Sequence, residues 1–340
     1  MIVGIYGMSG ASRPLAATAL KRMAAGADGL HRGRARTLLA TDVAVAVYPR
    51  AGRECGESLL ERDDVLIIAA GHLLHPKFEG EGPPQIVSRL LDAGALSDGL
   101  AQCAGEFAVV VVDKHSGELT LATDYLGIRP LFYAVTNCGV LFGSDVWPIF
   151  DSGCVARELD YDGLASWILF HHPQDTSTLF RQIKKVAPGT VLRCRGGTVT
   201  ATDYRHARTD APGDGRDLAD QIHDIVSRTC RSLTRGQQSM AILLSGGFDS
   251  RYVACLMRSQ GIECTAYTVP FESGDAEVAP VVAARLDMPL RTVPLPGSLD
   301  DAHGEPEGWS AAGFPIGKSV TCLPFERFDI ALPAADGFVG

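Results

Sequence analysis

The 340-residue sequence lacks any long apolar run, since none approaches the ~20 residues that a membrane-spanning helix needs. Its N-terminus also lacks the basic flank of a signal peptide. Basic residues are in deficit: 31 Lys and Arg face 40 Asp and Glu, giving a formal net charge of −9. This balance argues against a broad nucleic-acid-binding surface. These absences predict a cytoplasmic protein without a membrane or nucleic-acid partner.

Cysteine pairs with metal-ligand spacing are also missing. The nine cysteines are scattered along the chain, and no two of them form a C-x-x-C motif. Zinc sites in proteins use closely spaced cysteine pairs, so a zinc site is not expected. An odd number of scattered cysteines is typical of reduced thiols in the cytoplasm, most of them small core residues.

The chain is long enough for two domains, and its pattern changes near residue 208. Alternating apolar residues and turn signals make the first part strand-rich. The predicted strands there are at 1–7, 43–48 and 65–70, and helices are predicted near 86–91 and 159–170. Three hairpins are also predicted: 107–113 with 119–122, 131–135 with 140–142, and 191–195 with 198–200. We predict a first domain over 1–207, a linker over 208–216 that is rich in Pro and Gly, and a second domain over 217–340.

The second part alternates helices and strands. The pattern predicts helices at 218–233, 250–258 and 275–286, strands at 240–244 and 264–269, and a further short strand that begins at Val293. Such alternation is typical of a parallel, doubly wound sheet. Ligands of these sheets bind where the strands end, and Ser245 lies at such an end.

The most informative motif is Ser245-Gly246-Gly247-Phe248-Asp249-Ser250, between an apolar strand and a helix. Glycines allow the backbone to approach an oxyanion, and a helix N-terminus favours bound phosphate. The carboxylate of Asp249 would repel phosphate unless a cation lies between them, and Mg²⁺ suits that position. The motif therefore predicts a site for a magnesium nucleotide.

The Ser-Gly-Gly-x-Asp-Ser motif resembles the pyrophosphate loop of N-type ATP pyrophosphatases. Three further segments resemble the N-terminal domain of asparagine synthetases: Gly105–Ala108, Ala122–Tyr133 and Phe142–Asp145. The resemblance implies an α+β, Ntn-hydrolase-like αββα sandwich. It also implies that an α/β ATP-pyrophosphatase (PP-loop) domain follows, incomplete at its C-terminus.

The same resemblance implies a set of ligands for ATP and Mg²⁺. Pyrophosphate would be held by Ser245, Gly246, Gly247 and Ser250, and the adenine site would be lined by Leu243, Thr268 and Val269 at neighbouring strand ends. Asp249 would bind Mg²⁺, joined by Asp336 of a partly matching Gly-rich segment near residue 340. The catalytic lysine of the cyclising relatives belongs to a helical region that the chain does not reach.

Two departures from the family pattern concern glutamine. Members that use glutamine have a nucleophilic cysteine directly after the initiator Met, where this chain has Ile2. The family's glutamine-holding Asn-Gly-Glu segment is also not visible near Val45–Gly52. We therefore expect an inactive amidotransferase-like domain, as in the β-lactam synthetases and lasso-peptide macrocyclases.

The predicted function is an ATP-dependent, glutaminase-independent ligase that adenylates a carboxylate and forms an amide, by natural-product or lasso-peptide-type cyclisation. Its substrate would be a small molecule or peptide that carries a carboxylate and an amine. Because the sequence stops before the family's helical region, two alternatives stay open: a non-catalytic nucleotide-binding or scaffold homologue, and one half of a two-chain synthetase with a complementing C-terminal chain. A thiolation-type ATP pyrophosphatase is disfavoured by the strand-rich first domain.

Overall fold

The computed structural model describes residues 2–7, 13–28, 36–39, 43–48, 58–205, 215–234, 240–268, 275–292 and 338–339. They fall into two compact units, one with the described residues up to Arg205 and the other with those from Gly215 onwards. Among these residues no helix combines the length and the apolar character needed to cross a membrane.

The first unit contains twelve of the described strands and five of the described helices. In chain order they are β1 (Ile2–Tyr6), α1 (Arg13–Asp28), β2 (Arg36–Leu39), β3 (Val43–Val47), β4 (Leu59–Glu61), β5 (Val65–Gly71), α2 (Pro83–Asp92), α3 (Leu96–Leu100), β6 (Phe107–Asp113), β7 (Leu119–Thr123), β8 (Phe132–Thr136), β9 (Gly139–Gly143), α4 (Trp147–Asp151), α5 (Tyr161–Phe170), β10 (Lys184–Lys185), β11 (Thr190–Arg195) and β12 (Thr198–Asp203).

These strands form two six-stranded antiparallel sheets. The first sheet has the order β10-β8-β9-β1-β3-β2, and the second sheet has the order β12-β11-β7-β6-β5-β4. Alternation along β1 shows how the sheets are layered, because successive side chains point to opposite faces. Val3 and Ile5 pack with α1 and α4, whereas Ile2 and Tyr6 pack in the core between the two sheets.

A third core lies on the outer face of the second sheet. There Ile67 and Val109 pack against Ile86 and Leu90 of α2 and against Leu100 of α3. The order of layers is therefore helices, sheet, sheet, helices. This agrees with the αββα sandwich that the family resemblance implies.

The three predicted hairpins are confirmed, with strand bounds that differ by a few residues. One helix boundary is corrected: α5 begins at Tyr161 instead of Leu159. Asp160 is the N-cap residue, and its carboxylate accepts the N–H groups of Asp162 and Gly163 at 3.1 and 3.2 Å. Such a cap fixes the start of a helix because it satisfies backbone donors that the helix leaves free.

The expectation that all cysteines are reduced is wrong for one pair. Cys138, in the turn between β8 and β9, forms a disulfide with Cys154, which follows α4. The two residues are 16 apart in sequence, and the fold brings their Cα atoms to 6.6 Å. Spacing along the chain could not indicate this contact, because the packing of α4 on the first sheet creates it.

The second unit is a small α/β assembly around a parallel sheet. Its elements are α6 (Gly215–Thr234), β13 (Met240–Leu243), α7 (Phe248–Ser259), β14 (Cys264–Thr268), α8 (Asp275–Arg285), β15 (Leu290–Thr292) and β16 (Phe338–Val339). The strand order is β15-β14-β13-β16, and each neighbouring pair is parallel. A core that includes Met240, Ile242, Ala266 and Met257 joins this sheet to its helices.

The predicted helices and the parallel pairing of the second unit are confirmed, with two corrections. Helix α6 begins at Gly215, so the last two residues of the predicted linker 208–216 are helical. The third strand is Leu290–Thr292, ahead of the predicted start at Val293, because these residues pair with Ala266–Thr268. Val293 itself lies outside the described residues.

Candidate functional site

The Ser245–Ser250 loop connects the end of β13 to the start of α7. Strand β13 ends at Leu243, which is half-buried, and α7 begins at Phe248 with Gly247 as its N-cap residue. Gly246 is buried and has φ +92°, a backbone conformation that favours glycine. The glycine is therefore required by the turn, which sends the chain from the sheet edge into the helix.

Both serines of the loop contact each other. The Oγ atoms of Ser245 and Ser250 are 3.2 Å apart, and the Gly247 N–H donates to Ser245 Oγ at 3.3 Å. Ser250 Oγ also donates to the Gly247 carbonyl at 3.1 Å. These bonds hold the loop closed on itself and place two hydroxyl groups beside the helix N-terminus.

The start of α7 is suited to an anion. No side chain caps the helix at Gly247, so its first N–H groups are not satisfied by a capping residue. Unsatisfied N–H groups and the helix dipole together favour phosphate at such a position. Asp249 is exposed in the first turn, where its carboxylate can hold a cation that neutralises the phosphate.

Thr268 supplies an independent sign of a polar ligand at the same sheet edge. It ends β14, next to β13, and the Leu244 N–H donates to the Tyr267 carbonyl at 2.8 Å. Thr268 is only 5% exposed, and its Oγ1 has no hydrogen-bond partner among the described residues. A buried hydroxyl without a partner costs free energy, so a ligand or water that bonds to it is favoured.

The structure thus places Leu243, Ser245, Gly246, Gly247, Asp249, Ser250 and Thr268 at one edge of the parallel sheet. Val269 and Asp336, the other predicted ligands, lie outside the described residues. Within the described ranges no cluster of three or more His, Cys, Asp or Glu residues could hold a metal ion. One carboxylate still fits Mg²⁺, which is commonly bound through one or two carboxylates together with substrate phosphates and water.

Ile2, which directly follows the initiator Met, is a core residue of the first unit. Its side chain is 1% exposed and packs between the two sheets, and its backbone N–H donates to Ser144 Oγ at 3.2 Å. An aliphatic side chain offers no nucleophilic atom. Residue 2 is therefore part of the inter-sheet core.

A second polar cluster, which sequence reasoning missed, joins the end of β5 to the start of β6. The carboxylate of Glu106 accepts bonds from His72 Nδ1 at 2.9 Å and from Arg129 Nη2 at 3.1 Å, and it also pairs with Arg129 Nε. Both Glu106 and Arg129 fall in segments that carry the family resemblance. Their spacing in the sequence does not indicate that the two side chains meet. His72 reaches Glu106 because β5 pairs with β6, with Gly71 opposite Phe107.

Burial acts to raise the pKa of Glu106, but hydrogen bonds from His72 and Arg129 outweigh it and lower the pKa to about 2 from 4.5. A depressed folded-state pKa stabilises the fold above the unfolded value, and the stabilisation is lost as the pH falls from about 4.5 to about 2. We expect Glu106→Gln to lower the free energy of unfolding at pH 7 by about 2 kcal/mol. In the variant, the free energy of unfolding should also fall less steeply between pH 7 and pH 2. Urea unfolding across this pH range would measure the difference.

Glu158→Gln is the matched control for that prediction. Glu158 forms an ion pair with Arg181 at 2.6 Å, but both side chains are more than half exposed. Exposed ion pairs contribute about 0–1 kcal/mol, so this substitution should leave the pH profile nearly unchanged. Equal profiles for Glu106→Gln and the unsubstituted protein would contradict the stabilising role of the Glu106 cluster.

Comparison with known families gives two matches, one in each unit. A model described as a glutamine amidotransferase domain matches residues 77–205, and one described as asparagine synthase matches residues 221–298, which include the whole Ser245–Ser250 loop. Together they support the asparagine synthase family for this chain.

Relatives with known names point the same way. Glutamine-hydrolysing asparagine synthetase 1 of Bacillus subtilis is 28% identical over 190 residues, which cover 54% of this chain and 29% of the relative. A putative glutamine-hydrolysing asparagine synthetase of Mycobacterium bovis is 25% identical over 212 residues, covering 59% of this chain and 32% of the relative. The chain thus spans about a third of the length of these curated relatives.

Among solved structures, glutamine phosphoribosylpyrophosphate amidotransferase from B. subtilis, complexed with ADP and GMP, is similar with a TM-score of 0.42 and 10% identity. That similarity covers 88% of this chain and 91% of the other.

Proposed function

We propose that this chain acts in the ATP- and Mg²⁺-dependent formation of an amide bond, as a carbon–nitrogen ligase that does not hydrolyse glutamine. The observation that carries the proposal is the closed Ser245–Ser250 loop at the N-terminus of α7, within the part that matches asparagine synthase. Thr268 at the same sheet edge has a buried hydroxyl with no hydrogen-bond partner within the described ranges, and this supports a ligand there.

In the proposed reaction a substrate carboxylate oxygen attacks the α-phosphorus of ATP. The bond from that phosphorus to the bridging oxygen breaks, pyrophosphate leaves, and an acyl adenylate remains. An amine nitrogen then attacks the acyl carbon and loses its proton to solvent or a base, and AMP leaves. Bound Mg²⁺ would neutralise phosphate charge. Such neutralisation stabilises the transition state of reactions of this class by several kcal/mol.

Each group of the loop has a defined task in this scheme. The N–H groups at the start of α7 and the hydroxyls of Ser245 and Ser250 would donate to oxygens of the departing pyrophosphate. Asp249 would bind Mg²⁺, with Asp336 as a second candidate. Leu243, Thr268 and Val269 would line the adenine side.

The amine, rather than ammonia from glutamine, is proposed as nucleophile because Ile2 fills the nucleophile position with a buried aliphatic side chain. When the amine belongs to the same substrate as the carboxylate, the second step is intramolecular and gains effective concentration. We therefore propose cyclisation of a natural product or peptide as the preferred reaction type. The proposal is compatible with a partner: a second chain that would supply the pocket for the amine.

The direct test is calorimetry of the full chain with MgATP, followed by exchange of labelled pyrophosphate into ATP. The carboxylate in the exchange assay would be L-aspartate in one arm and a peptide with a free carboxylate and amine, encoded beside the gene, in the other. We expect that MgATP binds, that labelled pyrophosphate exchanges into ATP in the peptide arm, and that added glutamine yields no glutamate. Exchange with aspartate alone would replace cyclisation by asparagine-type chemistry, and glutamate formation would contradict glutaminase independence. MgATP binding without exchange in any arm would favour a non-catalytic homologue, and no binding would refute the proposal.

A further inference from the structure

Arg251 directly follows the Ser245–Ser250 loop and lies in the first turn of α7. Its backbone N–H donates to the Gly247 carbonyl at 3.2 Å, and its side-chain Nε donates to the same oxygen at 3.3 Å. The residue is exposed. The second bond fixes the guanidinium beside the loop, at the end of the helix where an anion is favoured.

The guanidinium of Arg251 has N–H donors that no described residue accepts. Among the described residues, no carboxylate forms an ion pair with Arg251, whereas Arg258 in the last turn of α7 pairs with Asp287 at 3.3 Å. Nε donates to the Gly247 carbonyl, and neither Nη group forms a hydrogen bond with a described residue. A planar guanidinium with two parallel donors matches the spacing of two phosphate oxygens.

The charge of the loop also calls for a cation. From Ser245 to Arg251 the chain has one carboxylate, Asp249, and one cationic side chain, Arg251. Triphosphate carries more negative charge than one Mg²⁺ neutralises, and further charge develops on pyrophosphate as it leaves. A cation fixed in advance beside that position stabilises the transition state without reorganisation.

We propose that Arg251 binds phosphate oxygens of MgATP and neutralises the departing pyrophosphate. The inference rests on the proposed function, since it assigns a further binding residue to the same site. The alternative for Arg251 is a purely structural role, in which its bond to the Gly247 carbonyl only stabilises the helix start.

Three substitutions separate these roles. Arg251→Ala removes both the charge and the bond to Gly247, Arg251→Gln removes the charge but keeps an N–H donor, and Arg251→Lys keeps the charge without the planar fork. Arg258→Ala is the matched control, since it removes a cation from the same helix at its other end. The measurements are the Kd for MgATP by calorimetry and its dependence on KCl concentration, with the melting temperature as a check on folding.

We expect Arg251→Ala and Arg251→Gln each to weaken MgATP binding by about 10- to 100-fold, and Arg251→Lys to weaken it less. Both charge-removing variants should also show a weaker salt dependence. Arg258→Ala should bind as the unsubstituted protein does. Normal binding by Arg251→Ala, or normal binding by Arg251→Gln alone, would overturn the inference and leave the proposed function standing. Failure of the unsubstituted protein to bind MgATP would overturn both.

Discussion

Asp249→Ala should reduce Mg²⁺-dependent pyrophosphate release by at least about 100-fold, since loss of a metal-binding carboxylate removes several kcal/mol of transition-state stabilisation. Asp249 is exposed in the first turn of α7, so its removal leaves no buried group unsatisfied. The melting temperature should change little. The readouts are the rate of pyrophosphate release and its dependence on Mg²⁺ concentration.

Asp249→Asn and Asp287→Ala complete this experiment. The asparagine variant keeps the size of the side chain and removes its charge, so it should be nearly as slow as the alanine variant. Asp287 is an exposed carboxylate that pairs with Arg258 at the far end of α7, and its removal should leave the rate unchanged. Pyrophosphate release by Asp249→Ala at the rate of the unsubstituted protein would refute the assignment of this loop.

Phe142→Ala should give the largest loss of stability. Phe142 lies in β9, is fully buried between the two sheets, and has its ring over Gly4 of β1, where a Cβ would overlap the ring. Truncation of a buried phenylalanine costs about 3–5 kcal/mol, from lost burial and from the cavity that remains. Calorimetric unfolding should therefore show a transition of the first unit lowered by roughly 10 °C.

Val135→Ala is the control for the core prediction. Val135 lies in β8, beside β9, and is 54% exposed, so its truncation should cost well below 1 kcal/mol. A loss of under 1 kcal/mol for Phe142→Ala would mean that the inter-sheet core is not packed around this ring. The second unit has its own core, so its transition should not shift.

The elements that the sequence predicted best are those whose pattern is local. Strand β6 is a run of apolar residues, whereas β11 alternates apolar residues with Arg193 and Arg195. Turn residues follow each strand, and both hairpins were predicted within a few residues. Helix α1 was not predicted, although Ala19, Leu20 and Met23 are buried among the side chains that the structure describes there. Six of its sixteen residues are alanine, whose small side chain gives little contrast between an apolar and a polar face, so the helical period is weak.

The candidate site and the other polar contacts also differ in how far local sequence predicts them. The loop from Ser245 to Ser250 is one continuous segment whose chemistry depends on a strand before it and a helix after it, and both are local features. The contacts of Glu106 depend on strand pairing and on a turn. They join it to His72, 34 positions away in sequence, and to Arg129, 23 positions away. The Cys138–Cys154 disulfide arises likewise from packing.

The amino-acid sequence is enough to predict a strand-rich first part, a second part of alternating helices and strands, and a loop typical of phosphate binding at a strand end. Those properties follow from the order of neighbouring residues, which sets backbone conformation and helix ends. Three features emerge only from the three-dimensional fold: the burial of Ile2 in the core, the buried hydroxyl of Thr268 that has no partner among the described residues, and the position of the Arg251 guanidinium beside the loop. These depend on burial and on the geometry of side chains, which neighbouring positions in the sequence do not encode.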